Sequence, residues 1–234
     1  MNCIEKIYHF LLDSYGPQGW WPLLEVQGSN PTFTGTITGY HIGGYDYPVD
    51  RNQCFEIWVG AILTQNTAWM QVEKALVNLQ AAKLLDPDQI VDLNKEVIRE
   101  AIRPAGYFNQ KTGYLCEAAA VFRSLCESIP TRKQLLEVRG IGEETADCIL
   151  LYAYHQCEFV IDAYTRRILS SLSIIKGDEK YRMIKELFEA NLEQNPILFQ
   201  EFHALLVEHA KRHYSKKPWG ISDTLPDILA NEEH

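Results

Sequence analysis

Between Pro130 and Leu151 the chain reads P-T-R-K-Q-L-L-E-V-R-G-I-G-E-E-T-A-D-C-I-L-L, a pattern open to few arrangements. Thr131 stands where it can cap a first helix, Gly140 and Gly142 allow the backbone dihedrals of a sharp turn, and Ile141 between them fits the groove between two helices. The stretch predicts helix, tight hairpin, helix. A second helix starting there exposes backbone N–H groups, and glycines let another backbone come near, which together make a seat for a phosphate oxygen. Many helix pairs also turn on glycine and bind nothing, so the motif needs a second element.

That element follows the second helix. In Phe159-Val160-Ile161-Asp162-Ala163-Tyr164-Thr165-Arg166-Arg167 an apolar run delivers one carboxylate at a helix start. Asp162 there has two compatible uses. It can cap the helix that begins at Ala163, and it can stabilise positive charge developing on a sugar while orienting or deprotonating a water.

Helical periodicity fills most of the remaining chain, and Asp86-Pro87, Arg103-Pro104, Ile129-Pro130 and Asn195-Pro196 fall between the periodic segments as stops. The fold class expected is all-α. From Gly28 to Pro48, β-forming residues punctuated by glycine predict a small hairpin or an ordered loop. The tail after Trp219 is polar and is expected to fray.

With a net charge of −9, the chain is not one that coats nucleic acid through bulk charge, so any DNA contact must be local. The basic run Lys211, Arg212, His213, Lys216 and Lys217 is read either as a solvated helix end or as such a contact. Six scattered cysteines lack metal-ligand spacing and predict free thiols, with neither disulfides nor a metal site. No apolar run is long enough to span a bilayer and the N-terminal residues do not read as a signal peptide, so a cytoplasmic, monomeric protein is expected, nucleoid-associated in a bacterium.

Taken together, Val138 to Asp147 and Val160 to Arg167 resemble the endonuclease III family of helix-hairpin-helix DNA glycosylases. Gly60-Ala-Ile-Leu-Thr-Gln65-Asn66-Thr67 is similar to that family's early helix, and Arg103-Pro-Ala-Gly-Tyr-Phe-Asn-Gln-Lys111 to its loop before the hairpin. The resemblance implies two helical lobes, residues 52–156 carrying the hairpin and residues 1–51 with 157–234 forming the other. It also implies double-stranded DNA entering between them. On this likeness Asp162 is the catalytic aspartate and Gly140, Ile141 and Gly142 present the phosphate seat. Gln65 fills the gap left by a flipped base, and Asn66, Thr145, Lys111, Lys211 and Arg212 are further DNA contacts.

Two departures from the family stand out. Where bifunctional members carry a lysine after the second hairpin glycine, this chain has Glu143 and Glu144, and a carboxylate cannot form a Schiff base. The family's iron-sulfur cluster needs four cysteines near the C-terminus, and no cysteine follows Cys157, so no cofactor is expected.

Trp20-Trp21-Pro22, with Trp69 two residues beyond Thr67, is similar to the 3-methyladenine glycosylase branch, whose aromatics line the base pocket. Stacking on indole selects a cationic alkylated purine by roughly 0.5–2 kcal/mol, and such a base already leaves easily. The same tryptophans also suit ordinary core packing. The sequence therefore points to a monofunctional glycosylase for an alkylated purine in base excision repair. The alternatives are a glycosylase for another lesion and a helix-hairpin-helix module that binds DNA without turnover.

Overall fold

The computed structural model describes residues 1–32, 35, 38–92 and 94–231, and among them regular structure is helical, with no strand. The all-α expectation is met. The helices are α1 (Cys3–Tyr15), α2 (Arg51–Leu63), α3 (Trp69–Ala81), α4 (Pro87–Asp92), α5 (Lys95–Ala101), α6 (Phe108–Leu125), α7 (Arg132–Leu136), α8 (Glu143–Tyr154), α9 (Ala163–Ser171), α10 (Tyr181–Asn191), α11 (Pro196–His213) and α12 (Leu225–Asn231), with a 3-10 turn at Arg103–Ala105. The described residues between Gly28 and Pro48 are loop, with one bridge among them, Gly28 to Gly39. Phe33, Thr34, Thr36 and Ile37, on which the hairpin expectation rested, lie outside the described residues.

Local chemistry accounts for the ends that sequence reading misjudged. Pro87 was read as a stop, yet it opens α4, because proline costs nothing at a first helical position. The stretch that became α12 was read as a frayed tail, but its first residue, Leu225, is fully buried. Tyr107 stands in the left-handed region (φ 45°) at the head of α6, and that helix takes in Phe108 to Lys111, the end of the stretch whose likeness is to a loop.

The chain divides into two compact units, one formed by Met1–Trp20 with the residues from Cys157 on, the other by Trp21–Gln156. In the first, α11 is buried from Phe199 to Ala210. The Phe159 ring stacks on Phe188 at 4.1 Å and meets Phe199 and Phe202 edge-on. In the second, α2 from Phe55 to Leu63 and α8 from Thr145 to Ala153 are buried. Helices that are buried all round are the centre of a unit, not its amphipathic cover.

Residues 21–51 were expected with the chain ends, and they pack instead with the hairpin unit. The Leu24 N–H donates to Glu56 Oε1 of α2 at 2.8 Å, and the Trp21 ring meets Trp69 and Tyr152, each at 5.4 Å. The Trp21 ring and the Leu24 N–H thus find their partners on α2, α3 and α8. Among the described residues no helix is long and apolar enough to cross a membrane.

Candidate functional site

The hairpin forms as its sequence directs. Thr131 accepts from the Gln134 N–H while Gln134 reaches back to Thr131, a reciprocal cap that starts α7. Arg132 grips Asp147 of α8 with two nitrogens, at 2.6 and 3.1 Å, the carboxylate being fully buried. This fork ties the two helices together. The sequence reading missed it; the spacing of an arginine at a helix start and an acid inside the next apolar helix was its signal.

The two glycines have different reasons. Gly140 has φ 89°, and a Cβ there would lie 2.2 Å from the Tyr114 ring, so both backbone and packing demand glycine. Gly142 is extended (φ −92°, ψ −176°) as the first cap of α8, and a Cβ there meets nothing within 4 Å. The expected turn role therefore belongs to Gly140 alone. At Gly142 nothing inside the protein needs the missing side chain, and no side chain caps the start of α8. Ile141 is buried, as a groove plug should be. Glu143 and Glu144 both face solvent in the first turn of α8.

Gln65, implied as a filler for a vacated base position, is docked on the hairpin. Its side-chain amide donates to Gly140 O at 2.7 Å and to the Thr145 hydroxyl at 3.0 Å, and Thr145 itself is buried. Asn66 follows in the left-handed region with φ 52° and is exposed. Lys111, expected as a DNA contact, turns inward. Its ammonium gives its three donors to Leu63 O, Thr67 Oγ1 and Ala105 O at 2.8, 2.7 and 3.0 Å. Burial pushes its pKa down to about 8. It clamps the end of α2 to the 3-10 turn, with no donor left for a phosphate. A cleft of about 260 Å³ lined by Gln65, Asn66, Tyr107, Gln110, Lys111 and Tyr114 opens beside this clamp.

In the other unit Asp162 caps α9. Its Oδ1 accepts from the Thr165 N–H at 2.7 Å and the Thr165 hydroxyl at 2.8 Å, while among the described residues none hydrogen-bonds its Oδ2. One oxygen fixes the carboxylate and the other is available. His203 and Lys211 of α11 both feel its charge: burial lowers the pKa of each, and Asp162 pulls each back up. Trp20 joins them, its ring edge-on to His203 at 6.3 Å and with Lys211 Nζ 5.4 Å from its centroid. The Trp20 loop is held by Glu201, which accepts from the Gln18 and Gly19 N–H groups at 2.7 and 3.1 Å. His203 escaped sequence analysis; its spacing of eight residues from Lys211, on one face of a helix, was the available signal.

The tryptophans are divided. Trp21 and Trp69 meet edge to face in the hairpin unit, whereas Trp20 belongs with Asp162. Trp20 and Trp21 keep only 8% and 4% of their surface exposed, and Pro22 is buried too, while Trp69 is half-buried. The basic run is also divided. Lys211 points to Trp20 and Asp162, and Arg212 is paired with Glu208 at 2.7 Å and lies over the Tyr15 ring at 4.5 Å.

The C-terminal segment does not fit an iron-sulfur cluster. In place of thiolates it holds His209, whose Nδ1 faces Tyr15 Oη at 2.8 Å and whose Nε2 faces Asp223 Oδ2 at 3.0 Å, with the Tyr214 hydroxyl donating to that same oxygen at 2.5 Å. Among the described residues no group of three metal-ligating side chains converges.

Residues 59–194 match the family model described as HhH-GPD superfamily base excision DNA repair protein. A putative DNA repair glycosylase of Methanocaldococcus jannaschii is 38% identical over 95% of this chain and 93% of its own length. Endonuclease III of Sulfolobus acidocaldarius is 31% identical over 70% of this chain and 76% of its own. Among solved structures, the Helicobacter pylori 3-methyladenine DNA glycosylase bound to 1,N6-ethenoadenine is similar with a TM-score of 0.66 and 26% identity, covering 91% of this chain and 98% of that one. A trapped endonuclease III–DNA covalent intermediate, at 13% identity and a TM-score of 0.72, shares the fold.

Proposed function

The chain belongs to the HhH-GPD superfamily of base excision DNA repair proteins, and from that premise we propose that it is a monofunctional DNA glycosylase acting on an alkylated purine. The observation that carries the reading is Asp162, one oxygen locked by its own helix cap and the other open, beside Lys211, His203 and Trp20. As the bond from C1′ to the base nitrogen breaks, its electron pair leaves with the base and positive charge grows on the sugar. The open oxygen opposes that charge and orients a water, whose oxygen bonds C1′ as its proton passes to the carboxylate. A cationic alkylated purine departs neutral and needs no acid. The amides ahead of α8, uncovered at Gly142, hold a backbone phosphate of the duplex.

Water is the nucleophile in this reading because Glu143 and Glu144 occupy the place where a lysine would attack the sugar. The decisive experiment measures base release from duplex DNA containing 3-methyladenine or 7-methylguanine. Wild type is expected to release the base and Asp162→Asn to lose at least a hundredfold, with folding retained because asparagine caps helices as well as aspartate does. Borohydride is expected to trap no covalent adduct. Release by neither protein, or a robust adduct, defeats the proposal. A neutral lesion is the second reading, favoured by Lys211 lying on the face of Trp20 where a cationic base would stack. Faster release of 1,N6-ethenoadenine than of 3-methyladenine would select it.

A further inference from the structure

Residues 157–162 lead into α9 with neither helical nor strand pairing, and Phe159, Val160 and Ile161 among them are buried. Buried backbone N–H groups need acceptors, and where no ladder supplies them side chains must. Here α10 supplies them. The Phe159 N–H donates to Glu189 Oε1 at 2.9 Å and the Ile161 N–H to Tyr181 Oη at 3.3 Å. Tyr181 and Glu189 stand eight residues apart on α10, a spacing that returns to one face. Between them the buried Lys185 pairs with Glu158 and, at 3.3 Å, with Glu189.

Beyond Asp162 the same end of α10 takes hold again. Arg166 Nη1 donates to Glu179 O at 2.8 Å, two residues ahead of Tyr181. The loop that offers this carbonyl is itself fixed, because the Lys176 and Gly177 N–H groups each donate to the Glu179 carboxylate at 2.8 Å. One bond therefore lies a single residue before Asp162 and the other four residues after it, and both reach the head of α10. The Thr165 cap sets the carboxylate relative to its own helix only. Where that helix begins relative to the core is a separate coordinate, and the head of α10 sets it.

We propose that Tyr181 is a positioning residue for base excision: through Ile161, and together with the Arg166 bond, it holds Asp162 where its open oxygen meets the sugar. The assignment rests on the glycosylase reading for the reaction it serves. Without the hydroxyl the buried Ile161 N–H loses its acceptor, a loss that the backbone relieves by moving. A reacting group displaced by about 1 Å costs up to about a hundredfold in rate. Tyr181 acts here without touching the DNA.

Single-turnover release of 3-methyladenine from a duplex tests it, with duplex affinity and urea unfolding measured beside it. Tyr181→Phe removes one oxygen and is expected to lower the rate constant at saturating enzyme about tenfold, with the duplex Kd unchanged within about twofold. In the Asp162→Asn background the same change should alter the residual rate by less than about twofold, because the hydroxyl works only through that carboxylate. Arg166→Met keeps the length of the side chain, removes the other bond and should give a smaller loss of the same kind. Should Tyr181→Phe fail to fold, Arg166→Met in the two backgrounds decides. Wild-type rates in both variants overturn the assignment and leave the glycosylase. A loss carried by duplex affinity alone overturns it, as does an equal loss in the Asp162→Asn background. A wild type that releases no base removes the assignment together with the glycosylase reading.

Discussion

The separate reasons for Gly140 and Gly142 make opposite predictions. Gly140→Ala puts a Cβ into the Tyr114 ring at a φ of 89° and is expected to cost more than about 2 kcal/mol of stability. Gly142→Ala meets nothing within 4 Å and should cost no more than about 1 kcal/mol, the difference between glycine and alanine at a helix cap. It is nonetheless expected to weaken duplex binding about tenfold, because a methyl group would then stand at the cap of α8 where the phosphate is proposed to sit. Urea unfolding and anisotropy measure both. A Gly142→Ala protein that binds as wild type would show that the hairpin amides do not meet the backbone. At this scale the sequence was partly legible. It picked out Asp162 as a helix cap, since a lone carboxylate after an apolar run can be seen in one dimension. It assigned Lys111 outward, because nothing in a string of residues shows that three acceptors converge on one ammonium.

At the scale of elements, Glu56 holds the 21–24 segment to α2 and bears a cost for doing so. Burial raises its pKa to about 7, the bond from the Leu24 N–H lowers it, and the charges of Glu25 and Asp50 raise it. The folded state therefore binds this proton more tightly than the unfolded chain does. The resulting stability is fully present below about pH 4.5 and is lost as pH rises through about 7. Glu56→Gln keeps the acceptor for Leu24 and removes the charge. It is expected to unfold at a higher temperature than wild type at pH 8, by up to ~3 kcal/mol of added stability, with the advantage shrinking to nothing near pH 4. An advantage independent of pH would assign the effect to packing. The longer helices were readable from periodicity at this scale, whereas α4, α12 and the affiliation of residues 21–51 were not. The backbone bond to Glu56 and the Trp21 ring contacts to Trp69 and Tyr152 hold the start of that stretch in the hairpin unit, and none of them leaves a pattern in the sequence.

At the scale of the molecule, each unit is organised round its own aromatic cluster: Phe159, Phe188, Phe199 and Phe202 in one, and Phe55, Trp58 and Phe122 in the other. Phe188→Leu and Phe122→Leu remove ring contacts with no member in common. Each is expected to cost about 1–2 kcal/mol, and the double variant the sum within about 0.5 kcal/mol. A coupling above about 1 kcal/mol in the urea midpoints would mean that the clusters respond as one core. The unit that carries Asp162 is also the one assembled from remote segments. Asn2 of the cap of α1 bonds Asn191 O, 189 residues away at 2.7 Å, and Ile4, Ile7 and Leu11 are the buried face of that helix. During synthesis this face leaves the ribosome before α10 and α11 exist to cover it. Its wait lasts through the making of the whole hairpin unit, so apolar surface made before that unit is sheltered only after it. A nascent chain halted before Tyr181 still displays it, and there the protein is open to capture by chaperones or by its own kind.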